Sequence, residues 1–203
     1  MIVLALDTAL DGCAVALAED NENRASLDEE MMRGQAERLA PMVREILAVA
    51  HATFSEIDRI AVTTGPGSFT GVRVGLSFAR ALALALNKPC LGVSTLEALA
   101  LSEGEAGLRG AVIETPGASY AALYADGAPL IAPRAIERGA HDALFAQVSR
   151  GRAILVAGPD RRANTSALAR RAQRVDPADY SPAPAYLRSP HVTPPNSTTE
   201  TSA

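Results

Sequence analysis

Thr64-Gly65-Pro66-Gly67-Ser68-Phe69-Thr70-Gly71 is the densest run of small residues in the chain, and such a run ahead of a helix can turn several backbone N–H groups toward an anion. It can also serve as a plain turn that sends a strand into a helix. Spacing separates the two uses. A phosphate-binding P-loop needs Lys-Ser or Lys-Thr directly after its last glycine, whereas Val72-Arg73 follow Gly71, and a dinucleotide fingerprint needs a different glycine spacing. The turn is therefore favoured. Asp7-Thr8 ends the first apolar run, where folds that open strand-turn-strand place a phosphate or metal contact, so Asp7 and Thr8 are nucleotide-proximal candidates. His51, His141 and His191 stand far apart at no ligand spacing and point to no metal. Cys13 and Cys90 are isolated thiols, expected to be buried and reduced. No Ser-His-Asp or Cys-His order is present, so no catalytic residue is assigned.

The elements that would position these residues can be read from periodicity. Ile2 to Leu6 and Cys13 to Ala18 are apolar runs with Asp11-Gly12 between them, which reads as strand, tight turn and strand, with a weaker third strand near Arg24 to Glu29. From Gln35, the residues Leu39, Met42, Val43, Ile46, Leu47 and Ala50 recur at helical spacing, and Pro41 predicts a kink or a start close to Ala40. Ile60 to Thr63 is a buried strand that enters the glycine loop, and a helix runs from there to Leu86. In that helix Gly71, Gly75, Ala79 and Ala83 lie four apart on one nearly bare face, while Leu76, Phe78, Leu82 and Leu86 occupy others. A helix apolar almost all round suits cover on two sides. The second cover is either another subunit or a neighbouring helix of the same chain. Leu91 to Val93 forms a short strand, and Ser94 caps a helix to about Leu101 with Glu97 at the capping-box position. Residues 1–101 thus read as one α/β lobe. Residues 102–188 read as a smaller one, with strands at Gly110 to Ile113, Tyr120 to Tyr124 and Ile154 to Ala157 and a helix from Ala140 to Ser149. Residues 189–203, rich in Pro, Ser and Thr, are expected to be a disordered tail.

Composition narrows the class of function. At 203 residues, with 48% hydrophobic and 21% charged side chains, the chain is ordinary globular protein. Nineteen basic against 23 acidic side chains leave a net charge of −4, which argues against gripping nucleic acid unaided. Met1 to Asp7 lacks the basic region of a signal peptide, and no apolar run reaches about 18 residues without a charge, so a cytoplasmic protein with no membrane segment is expected.

Several stretches together resemble the TsaB (YeaZ) family, the dimerisation subunit of the bacterial tRNA threonylcarbamoyladenosine machinery. They are Ile2 to Ala9, Arg38 to Val43, Gly65 to Arg73, Gly92 to Leu96 and Tyr186-Leu187-Arg188. The resemblance is dense over residues 1–101, thin over 110–175, and returns at Tyr186. It implies a two-lobed α/β fold of the actin/Hsp70/sugar-kinase (ASKHA) type with a reduced second lobe. It also implies a non-catalytic scaffold that pairs with the catalytic subunit TsaD, reaches the ATPase TsaE and tRNA through the complex, and forms a homodimer when alone. The matching helix bundle would draw on Leu39, Met42, Val43 and Ile46 of the first long helix and Gly71, Gly75, Ala79 and Ala83 of the second. By the same resemblance, Thr95 and Leu99 stand where TsaD carries two metal-binding histidines, and Gln35 where another family histidine stands, so metal-dependent transfer, and the older peptidase label, do not carry over. No cofactor is expected on this chain alone, with ATP or ADP a candidate at the partner interface. The segment Glu114 to Ser119 replaces an Arg-rich family segment in the second lobe. The alternative is a small-molecule kinase of the same superfold, for which Gly158-Pro159 is the only candidate adenine-binding pair.

Overall fold

The computed structural model describes residues 1–158, 162–185 and 187. Pro159 of the Gly158-Pro159 pair, Tyr186 and Arg188 of the C-terminal motif, His191 and the expected tail 189–203 lie outside the described residues.

The first sheet joins β1 (Ile2–Asp7), β2 (Gly12–Glu19), β3 (Glu22–Glu30), β4 (Arg59–Thr63) and β5 (Cys90–Val93) in the order β3-β2-β1-β4-β5. β1 pairs antiparallel with β2 and parallel with β4. The uniform apolar runs of β1 and β2 have a simple cause, since both faces of this sheet are covered. On one face, α1 (Gln35–Val49) and α2 (Phe69–Leu86) pack against Leu4, Leu6, Val15 and Leu17. On the other, α5 (Thr165–Arg174) brings Leu168, Ala169 and Ala172 against Val3, Ala5 and Ala61.

The second sheet, β6 (Leu108–Thr115), β7 (Ala118–Ala125), β8 (Ala128–Ile136) and β9 (Ile154–Ala157), is ordered β8-β7-β6-β9 and repeats the pairing of the first four strands of the first sheet. α3 (Thr95–Ser102) covers one face through Leu96 and Leu99, and α4 (His141–Ser149) the other through Phe145. This duplicated α/β arrangement is the two-lobed actin/Hsp70/sugar-kinase type of fold. Each half sends its last helix to the other: α3 comes after the first sheet and packs on the second, while α5 comes after the second and packs on the first.

Four sequence expectations need correction. α5 was not anticipated, and its contacts join residues 165–174 to the first sheet, although a boundary after residue 101 assigns them to the second lobe. β8 was also missed; Pro129 and Pro133 lie within it, which is tolerated because β8 is an edge strand. α1 starts at Gln35, where the periodicity opens, and runs through Pro41, so of the two alternatives offered there the start near Ala40 falls; Pro41 gives up only the bond to the carbonyl of exposed Glu37. Ser94 stands at the N-cap of α3 without a side-chain cap bond, and its hydroxyl turns to the Gly65 carbonyl at 3.4 Å, while Glu97 faces Arg171 instead of closing a capping box.

Candidate functional site at the junction of the lobes

The β1–β2 turn and the 64–71 loop meet at the mouth of the cleft between the lobes. Asp7 is 4% exposed, and its Oδ1 accepts the Ala9 N–H at 3.0 Å and the Thr63 hydroxyl. Burial pushes its carboxyl above the ordinary carboxylate range, against the opposing pull of those two hydrogen bonds. The Thr8 hydroxyl donates to the Gly71 carbonyl in the first turn of α2, at 2.7 Å. Asp7 therefore braces the turn against β4, and Thr8 braces it against α2.

The loop is built to close onto that turn. Four backbone donors in and just after the loop have partners within the chain: Gly65 N–H on Thr95 Oγ1, Ser68 N–H on the Ala9 carbonyl, Gly71 N–H on Ser68 Oγ and Val72 N–H on the Ser68 carbonyl. A Cβ at Gly67 would stand 2.2 Å from the Ala9 carbonyl oxygen, and one at Gly71 2.0 Å from that of Thr8. These glycines allow backbone to touch backbone, and that use supports the turn over the phosphate cradle. A small-molecule kinase would need those donors turned into the cleft.

Gly75 belongs to the same contact, since its Cβ would meet Thr8 Oγ1 at 2.6 Å and Val62 at 3.3 Å. The bare face of α2, with Ala79 at 0% and Ala83 at 5% exposure, thus lies on the chain's own sheet. Leu39, Met42, Val43 and Ile46 of α1 are likewise buried in that core. The eight residues assigned from the sequence to a partner interface therefore face inward. Periodicity identified the buried stripe of each helix correctly, but a stripe that covers its own sheet has the same pattern as one that covers a neighbour. The outward face of α2 carries Arg73, Ser77, Arg80, Ala81, Leu84 and Ala85, with Leu84 84% exposed. By length and a hydropathy of 1.4, α2 could cross a membrane, but its glycine side is engaged by its own sheet.

Two openings flank the loop. One, of about 180 Å³, is lined by Gly65, Pro66, Val72, Tyr120, Ala185 and Leu187 among others. The larger, about 690 Å³, lies between the β1–β2 and β6–β7 turns and takes in Asp11, Glu30, Glu114 and Arg162. Phe69, 62% exposed and stacked under the Arg73 guanidinium at 3.7 Å, stands at the rim of both. Arg138 pairs with Glu114 and donates to the Thr115 carbonyl at 3.0 Å, so an arginine does reach the divergent 114–119 segment, from the end of β8. Sequence reasoning missed Arg162 and Arg138, for which no local pattern signals a role. Burial pushes the thiols of Cys13 up to about 12 and Cys90 up to about 11, which leaves both protonated and unreactive. Among the described residues, no group of three or more His, Cys, Asp or Glu side chains could hold a metal ion.

Known proteins share this arrangement. A Pseudomonas aeruginosa crystal structure described as similar to the peptidase YeaZ superposes with a TM-score of 0.72 at 30% identity, over 92% of this chain and 99% of that one. The TsaB protein of Escherichia coli, a tRNA threonylcarbamoyladenosine biosynthesis protein, is 43% identical over 100 residues, which is 49% of this chain and 43% of that protein. The chain belongs to the TsaB (YeaZ) family. A structure of YeaZ itself from Pseudomonas aeruginosa superposes with a TM-score of 0.70 at 27% identity, and TsaB of Haemophilus influenzae is 40% identical over 100 residues. The profile of TsaD, tRNA N6-adenosine threonylcarbamoyltransferase, matches residues 27–127. The matched region spans less than half the length of these curated TsaB relatives.

Proposed function

We propose that the chain is a non-catalytic scaffold subunit of the complex that transfers threonylcarbamoyl to N6 of adenosine 37 in tRNAs reading ANN codons, and that it works in the cytoplasm by pairing with TsaD. The reading is carried by what stands on α3. Thr95 and Leu99, the positions matched to the two metal-binding histidines of TsaD, are both fully buried. Thr95 Oγ1 accepts the Gly65 N–H at 3.0 Å, and Leu99 packs with Ala111 and Ala122 of the second sheet. Neither side chain can replace imidazole at an iron or zinc ion. Similarity to TsaB supports the rest of the reading.

The partner surface in this reading is the outward side of α1 and α2, where Leu84 and Val49 are exposed apolar residues, and not the inward stripes. The same surface would pair two copies when TsaD is missing. ATP or ADP would sit at the shared interface, and TsaE and tRNA would be reached through the complex. Reconstitution tests the proposal: this chain with TsaD, TsaE, threonylcarbamoyl-adenylate and tRNA should restore transfer, and the chain alone should give none. Tight binding of ATP and magnesium by the chain alone would favour the kinase instead. With a net charge of −4, the chain alone should not bind tRNA measurably at physiological salt; a salt-resistant complex of micromolar or tighter affinity would contradict this.

A further inference from the structure

Away from that site, a half-buried polar cluster ties the two halves together. Arg171 of α5 donates from Nε to Glu97 Oε1 of α3 at 3.1 Å, and from Nη2 to the Gly127 carbonyl in the β7–β8 turn at 3.1 Å. Tyr180 lies 3.1 Å from both side chains, its hydroxyl donating to the same Glu97 oxygen. The Arg171 and Glu97 side chains are only 20% and 13% exposed. One guanidinium thus joins a helix packed on the first sheet, a helix packed on the second, and a turn of the second.

Tyr180 extends the cluster to a fourth element. Its carbonyl accepts the Gly92 N–H of edge strand β5 at 2.9 Å, and the chain beyond it runs past β5 until the Ala185 N–H donates to the Thr64 carbonyl at 2.9 Å. Gly92 is required for this passage, because a Cβ there would stand 2.4 Å from the Ser181 carbonyl oxygen. Residues 180–185 form a strap that covers the edge of β5 and supplies Pro184 and Ala185 to the wall of the smaller opening.

We infer that Glu97, Arg171 and Tyr180 form a latch that fixes the second lobe and the strap against the first sheet, holding the cleft at one width. Charge-assisted bonds of low exposure are among the stronger polar contacts, and here they link elements far apart in sequence. The latch does not depend on the proposed function.

Hydrogen exchange on the full chain tests it, with Arg171→Gln and the milder Tyr180→Phe. The amides of Gly92, Asp126 and Ala185 report the strap and the turn, and those of β1 and β2 report the first sheet. Opening of the latch should speed exchange at the three reporters by about tenfold in Arg171→Gln and by a smaller factor in Tyr180→Phe, with β1 and β2 unchanged. Exchange that stays as in the parent, or rises equally in β1, β2 and the reporters, overturns the latch. If Arg171→Gln does not fold, the Tyr180→Phe pattern alone decides.

Discussion

In the first half of the molecule the β1–β2 turn is closed over by the 65–71 loop, backbone against backbone, with Asp7 and Thr8 bonded beneath it. In the second half the corresponding β6–β7 turn is braced by side chains: Thr115 Oγ1 accepts the Ala118 N–H at 3.1 Å, Arg138 donates to the Thr115 carbonyl at 3.0 Å, and a Cβ at Gly117 would meet nothing within 4 Å. The two sheets share a strand order but differ in where the chain goes after the fourth strand. After β4 it turns back over its own hairpin and forms α2, whereas after β9 it crosses to the first sheet as α5. The same topology therefore gives one hairpin closed by backbone contacts that require glycine and one whose glycine has open space, because only after β4 does the chain turn back over its own hairpin.

The largest expected effect breaks this contrast directly. Gly67→Ala should cost more than about 4 kcal/mol and lose the folded protein, since the clash is with backbone that cannot step aside, whereas Gly117→Ala should stay within about 0.5 kcal/mol. Urea titrations of the pair measure the difference, and equal losses would dissolve the comparison.

Next comes the core that each half can bury. Ile46→Ala, in the core between α1 and the first sheet, should cost about 2 to 5 kcal/mol. Leu155→Ala in β9, where the side chain is 50% exposed, should cost under about 1 kcal/mol. An Ile46→Ala chain of parent stability that fails to associate would restore α1's inward stripe to the partner interface.

Asp7 ties the first hairpin to pH. Its carboxyl is raised by burial, so the folded state holds a proton more tightly than the unfolded chain. This contribution to stability is greatest below the unfolded carboxylate pKa and is lost as pH rises through the raised folded value. Melting temperatures between pH 4 and 7 should fall less steeply with rising pH in Asp7→Asn than in the parent.

The smallest expected effect on stability is at Leu84. Leu84→Asp should change the melting temperature by no more than about 0.5 kcal/mol would, yet it should weaken self-association in sedimentation experiments. Unchanged association would move the partner surface away from the outer side of α2.

What could be read from the residues alone was decided by local rules. The unbroken apolar runs of Ile2 to Leu6 and Cys13 to Ala18 report burial on both faces, the four-residue spacing of Gly71, Gly75, Ala79 and Ala83 reports a helix with one flat side, and Val72-Arg73 after Gly71 exclude a P-loop. Tertiary structure decided where those surfaces point. A flat helix face looks the same in sequence whether its own sheet or a second chain covers it, and only the 2.0 Å approach of a Gly71 Cβ to Thr8 assigns it to the former. The crossing of α5, the edge position that admits Pro129 and Pro133, and the meeting of Glu97, Arg171 and Tyr180 were illegible for one reason. Each depends on contacts between residues tens of positions apart, to which periodicity, a property of neighbours along the chain, is blind.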